Sequence, residues 1–161
     1  MTATNEARVR ALLTTLVGQK VWFMNSGGAA GSSFSLSLGE RIPRAKPLQN
    51  PSVAEDFRRN GGEFTLYVWC TWRFQSGDVI ASSDQDAEEA RPMLETLLGK
   101  TVTSAEVTGR CFDFHLTLGD AQLDIFCDHV PPEPSYESNW ELVVRETAAL
   151  VVGPGFSIEL T

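Results

Sequence analysis

Residues 12–21 read LLTTLVGQKV, and residues 93–102 read MLETLLGKTV. Working outward from that pair, FSLSLGE at 34–40 returns as FHLTLGD at 114–120, and LYVWC at 66–70 returns as LDIFC at 123–127. A weaker fourth match sets WRF at 72–74 against WEL at 140–142. The order is kept while the spacing differs, as in a duplicated unit that has since gained loops. This pattern predicts one domain over 1–161, built from two pseudo-repeats at about 5–82 and 83–161.

Within each unit the local signals agree. Val9, Leu12, Leu13, Leu16 and Val17 fall at i, i+3, i+4, i+7 and i+8, one apolar helical stripe after a cap at Thr4 or Asn5. Gly18 stands where a left-handed residue ends such a helix. The second helix buries Met93, Leu94, Leu97 and Leu98 and stops at Gly99. Its start is ambiguous: Ser83 or Asp86 is a possible cap, while Pro92 asks either to be the first helical residue or to kink the helix. Strands follow at 20–25 and 33–38, the latter with Phe34, Leu36 and Leu38 inward, and one long aromatic-rich strand covers 63–74. In the second unit strands read at 102–107, 111–118, 122–127, 139–145 and 156–160. Gly27-Gly28 is a turn, and proline-rich insertions occupy 41–60, with a helical turn at about 53–58, and 128–138. The expected fold is α+β. Each unit is a helix plus an antiparallel β-meander, and the two share one sheet or a partly closed barrel with the helices on its apolar face.

Composition narrows the class of function. Of 161 residues 42% are hydrophobic and 21% charged, the balance of an ordinary soluble domain. There is no basic segment followed by an apolar run at the start, and no apolar stretch near the ~20 residues a membrane helix needs. Three irregularly spaced cysteines are no disulfide framework, so the expected location is cytoplasmic. The net charge of −8 is concentrated: residues 78–141 hold three Lys/Arg against fourteen Asp/Glu. That disfavours nucleic acid and anionic membrane as partners and suits a basic protein.

The residues able to carry chemistry are few. A two-residue turn at Gly119-Asp120 pairs Leu118 with Ala121, so Leu116 opposes Leu123, Phe114 opposes Ile125 and His115 opposes Asp124 on the outer face. An imidazole oriented by a carboxylate is the core of a general base, but the sequence identifies no nucleophile beside it, and a solvated surface ion pair is the plainer reading. Cys127-Asp128-His129 offers two ligands on one side of a strand, too few for a zinc site, so neither metal nor cofactor is expected. Cys70 and Cys127 occupy matching positions and read as small buried apolar residues. Tyr67, Trp69 and Arg73 form an outward row if 63–74 is one strand, and Trp, Tyr and Arg dominate protein-binding hot spots. Internal packing of those rings is the alternative. No phosphate-binding loop or nucleophile elbow is present.

The run GEFTLYVWCTWRF (62–74), with SSD (82–84), LLGKTV (97–102), FDFHLTLGDAQL (112–123) and NWEL (139–142), resembles a family of small uncharacterised bacterial proteins. Those proteins carry a similar Gly-Glu-aromatic-x-Leu-Trp…Trp-Arg segment, a Phe-Asp-Leu-Gly element and a late Trp-x-Leu. Here FDFHLTLG separates the Phe-Asp from the Leu-Gly. The resemblance covers about two thirds of the chain, implies a bacterial origin and brings no catalytic residue. The expectation is therefore a non-enzymatic binding protein, immunity-type or regulatory, with a protein partner or a second copy of itself. The alternatives are a small-molecule binder with its pocket between the repeats and an enzyme using His115 and Asp124.

Overall fold

The apolar alternation along each strand needs a second apolar surface to bury it, and here that surface is another sheet. A computed structural model describes residues 3–27, 31–129 and 138–161. Helix α1 (Ala3–Thr14) is followed by β1 (Val21–Ser26) and β2 (Phe34–Pro43). A short α2 (Glu55–Arg59) then leads into β3 (Asn60–Val68), β4 (Thr71–Ser76) and β5 (Val79–Ser82). Helix α3 (Ala87–Glu95) opens the second half, with β6 (Ser104–Thr108), β7 (Asp113–Leu118) and β8 (Ala121–Phe126). The chain ends with β9 (Trp140–Val144), β10 (Thr147–Val152) and β11 (Ile158–Leu160).

The fold is α+β with two antiparallel sheets, one of six strands in the order β1-β2-β3-β9-β10-β11 and one of five in the order β5-β4-β8-β7-β6. The expected single shared sheet, or barrel, is thus replaced by two open sheets. The reason lies at Trp69 and Cys70. The expected strand over 63–74 breaks there, and the chain leaves the six-stranded sheet at Val68 and enters the five-stranded one at Thr71. A second exchange takes the chain back between β8 and β9. The six-stranded sheet consequently holds three consecutive strands from each half, and the five-stranded one holds β6, β7 and β8 from the second half with the β4–β5 hairpin from the first.

The two apolar faces meet in one core. Phe34 on β2 meets Trp72 on β4 edge to face at 5.2 Å, and Phe114 on β7 stacks on Trp140 of β9 at 4.8 Å. Both indoles are fully buried, so each ring N–H needs an acceptor: Trp72 donates to the Ser32 carbonyl at 2.7 Å and Trp140 to that of Phe112 at 2.9 Å. Val9 and Leu13 of α1 with Leu16 just after it, and Ala90 and Leu94 of α3 with Leu97 just after it, enter the same core. Helix α1 lies against β6, and α3 against β5 and β1, all edge strands.

Asp86 caps α3 by accepting from the Glu88 N–H at 2.9 Å, so the helix starts five residues before Pro92 instead of at it. After both helices the backbone turns left-handed, at Gly18 (φ 89°) and Gly99 (φ 83°). The segments that follow are cross-linked in reciprocal pairs. Gly18 N donates to Val102 O and Gly99 N to Val21 O, each at 2.8 Å. Val21 N donates to Lys100 O at 3.0 Å and Val102 N to Gln19 O at 2.9 Å, around an isolated bridge between Lys20 and Thr101. The Gly27-Gly28 turn and the 128–138 insertion fall partly outside the described residues.

Candidate functional site

The outer faces of the two sheets differ in what covers them. On the six-stranded sheet, Phe23, Ser37 and Thr65 are in register across β1, β2 and β3, and the 41–60 insertion folds over them. Phe57 of α2 stacks on Phe23 at 3.8 Å. Arg44 lies over the Phe57 ring at 4.8 Å and pairs with Glu146 at 2.8 Å, while Arg41 covers Trp22 at 4.5 Å and pairs with Asp56 at 2.7 Å. Ser37 is buried as a result.

On the same sheet, the rings of Tyr67 and Trp69 stack on each other at 5.5 Å, 10° from parallel, and stay 36% and 40% exposed. Trp69 stands in the crossover between the sheets, its backbone N–H donated to Asn139 O at 3.0 Å. Tyr67 pairs across the sheet with Ser35 and Glu141. Partial burial raises the Tyr67 phenol above its ordinary range; nearby Arg44 opposes this and Glu141 and Glu146 add to it. Arg73 does not continue the row. It lies past the crossover, on the other sheet.

There Arg73 joins a polar cluster. His115 opposes Asp124 across β7 and β8, as the two-residue turn predicts, and Arg73 opposes Asp124 from β4. One Asp124 oxygen accepts from His115 Nδ1 at 2.7 Å and Gln122 Nε2 at 2.9 Å; the other accepts from Arg73 Nη2 at 3.1 Å. The residue is only 4% exposed, which corrects the expected solvated pair: flanking side chains on three strands enclose the carboxylate. Burial alone pushes the Asp124 carboxyl up, but the bonds from His115, Gln122 and Arg73 outweigh it and hold the pKa below the usual range.

The sequence reading missed a further member, Thr108. Its Oγ1 lies 2.8 Å from His115 Nε2. The β6–β7 register sets Glu106 opposite His115 and Thr108 opposite Asp113, so Thr108 is the diagonal neighbour of the imidazole. That register depends on a turn over 109–112 with φ of 68° at Gly109 and 62° at Phe112. An aromatic residue in the left-handed region is strained, and Phe112 is held there by its carbonyl, which accepts from Trp140 Nε1 and from Cys127 Sγ at 3.3 Å. Alternating apolar residues give no warning of such a turn.

A groove of about 1070 Å³ runs beside this turn, lined by Asn5 and Arg10 of α1, Thr108, Arg110, Phe112 and Ile158 among others. Cys70 and Cys127 face each other where the two β-ladders end, and their hydrogen bond, with burial, raises the Cys70 thiol strongly. His129 is taken up by the Ser138 carbonyl at 3.2 Å. Among the described residues no three His, Cys, Asp or Glu side chains converge as a metal site. No protein-family model, no curated protein and no solved structure matches this chain.

Proposed function

We propose that the protein works by binding a partner protein, as an immunity-type or regulatory factor, through the surface around Tyr67 and Trp69. The observation that carries this reading is the stacked, half-exposed ring pair at the crossover. Two ordered aromatic rings offer contact area at little conformational cost, which is the character of a hot spot. Glu141 beside Tyr67 and the net charge of −8 favour a basic partner. Arg73, engaged with Asp124 on the other sheet, drops out of this surface. We read the passage of each half from one sheet to the other after its third strand, and the reciprocal bonds around Lys20 and Thr101, as support for a duplicated unit with pseudo-twofold symmetry.

Affinity capture on the purified chain tests the proposal. A stoichiometric basic protein retained by the wild type and lost with Tyr67→Ala/Trp69→Ala is the expected result. No such protein, or equal capture by the double variant, overturns it.

A second reading has its own observation. The groove is walled by α1 from the first half and by the β6–β7 turn and β11 from the second, so it lies between the halves and is large enough for a metabolite. A thermal-shift screen against small anions and metabolites is the check, and no stabilisation by any compound removes that reading.

A further inference from the structure

We propose that Thr108, His115 and Asp124 form a hydroxyl–imidazole–carboxylate relay that hydrolyses small esters held in the groove beside the β6–β7 turn. The polarity of the cluster carries the argument. Asp124 is buried and ionised, so it accepts only, and His115 Nδ1 at 2.7 Å must donate to it. In the neutral imidazole the lone pair then sits on Nε2, and Thr108 Oγ1 at 2.8 Å must give its proton towards that nitrogen. A hydroxyl, a base polarised towards it and a group fixing the base's tautomer are what an acyl-transfer nucleophile requires.

The surroundings fit the roles. Thr108 is exposed and lines the groove, whereas Asp124 is shielded and additionally held by Gln122 and Arg73. Asp124 is therefore a positioning residue, and Thr108 and His115 are the groups that would touch substrate. Val107, Phe112 and Ile158 provide apolar lining for an acyl chain. Arg110, two residues after Thr108, makes no ion pair among the described residues and is the cation available to a developing oxyanion or a substrate carboxylate.

The chemistry balances with water alone as co-reactant. Thr108 Oγ1 bonds to the ester carbonyl carbon while its proton passes to His115 Nε2. The carbon–alkoxide bond then breaks, and the imidazolium returns that proton to the leaving alcohol. Water, deprotonated by His115, attacks the acyl-threonine, the bond to Oγ1 breaks, and the carboxylic acid leaves as the hydroxyl is restored.

The purified full chain is tested with p-nitrophenyl acetate and, separately, with an alkyl fluorophosphonate followed by peptide mass analysis. The expected result is one phosphonyl adduct on Thr108, with fluoride as leaving group. Hydrolysis should fall about 100-fold in Thr108→Val and be largely kept in Thr108→Ser. Asp124→Asn should lower kcat with KM little changed and weaken phosphonylation of Thr108, which loss of packing alone would not do. An unlabelled wild type, or a Thr108→Val variant as fast as wild type because the imidazole acts by itself, overturns the proposal.

Discussion

The β2–β3 pair and the β7–β8 pair carry the same core and opposite exteriors. Inward, Leu36 faces Leu66 in one and Leu116 faces Leu123 in the other. Outward, Ser35 faces Tyr67 in the first, and His115 faces Asp124 in the second. The connections differ as much, a strapped insertion in one and the two-residue Gly119-Asp120 turn in the other. The inner face answers to close packing against the second sheet, where a lost methylene is felt. The outer face has no such constraint, and it carries a different covering and different polar groups in each half. Shared residues therefore report on architecture, and the differences between the halves are where function should be sought.

The largest expected effect tests the shared part. Trp72 and Trp140 occupy matching places, each buried, each with its N–H on a carbonyl and its ring on a phenylalanine. Truncating either to alanine should cost about 4 kcal/mol in urea unfolding. A loss at Trp72 less than half that at Trp140 would mean the two indoles do not hold equivalent parts of one core.

Much of that shared part was legible. The left-handed turns at Gly18 and Gly99 stand where expected, although the helices stop earlier, at Thr14 and Glu95, and leave Val17 and Leu98 of the expected stripes exposed; the short turn at Gly119 placed every partner in β7 and β8. The break between β3 and β4 was not legible, for a specific reason. Leu66, Val68, Cys70, Trp72 and Phe74 are all buried, so the alternation runs straight through the point where the chain changes sheets. An uninterrupted period of two cannot say which sheet receives it. Strands β5 and β10 were missed because VIAS and TAALVV are short or apolar on both faces. Of the polar site, the His115–Asp124 pair was readable from local register, while Thr108 and Arg73 arrive from two other strands. Tyr67 and Trp69 were readable as a pair, but the crossover between them and Arg73 was not.

The next effect is on the exteriors. Phe57→Ala removes the stack on Phe23 and the platform under Arg44, and should cost about 2 kcal/mol for a half-buried ring. Limited proteolysis should then cut within 44–59 first, with the core strands still protected in hydrogen exchange. Cleavage spread evenly along the chain would mean the strap is part of the core and the two exteriors are less different than they look.

On the other sheet, Asp124→Asn should cost about 1–2 kcal/mol near neutral pH, since Arg73 is half-exposed and water can replace part of what it loses. The sign of the pH effect follows from the lowered folded pKa. The carboxylate's contribution is fully present above its unfolded value of about 3.9 and disappears as pH falls through the folded one. Wild-type stability should thus drop towards acid more steeply than that of the Asn variant, and the two curves should converge. Parallel curves in acid would show that the cluster contributes no linked proton, and the exterior of the second half would be no more than surface decoration.

The smallest effect is the sharpest test of equivalence. Gly18 and Gly99 share a left-handed φ, at 89° and 83°, and a Cβ added at either would meet nothing within 4 Å. Packing is thereby removed from the comparison, and backbone strain, about 1 kcal/mol, is what Gly18→Ala or Gly99→Ala should show. Each N–H spans to the opposite half, Gly18 to Val102 and Gly99 to Val21, so strain at one position loads the same reciprocal set of bonds as strain at the other. Equal losses in thermal unfolding follow if the junction around Lys20 and Thr101 is energetically symmetric. A difference approaching the whole effect would locate the asymmetry in the junction itself, and the difference between the two halves would then reach beyond their outer faces into the joint that holds them together.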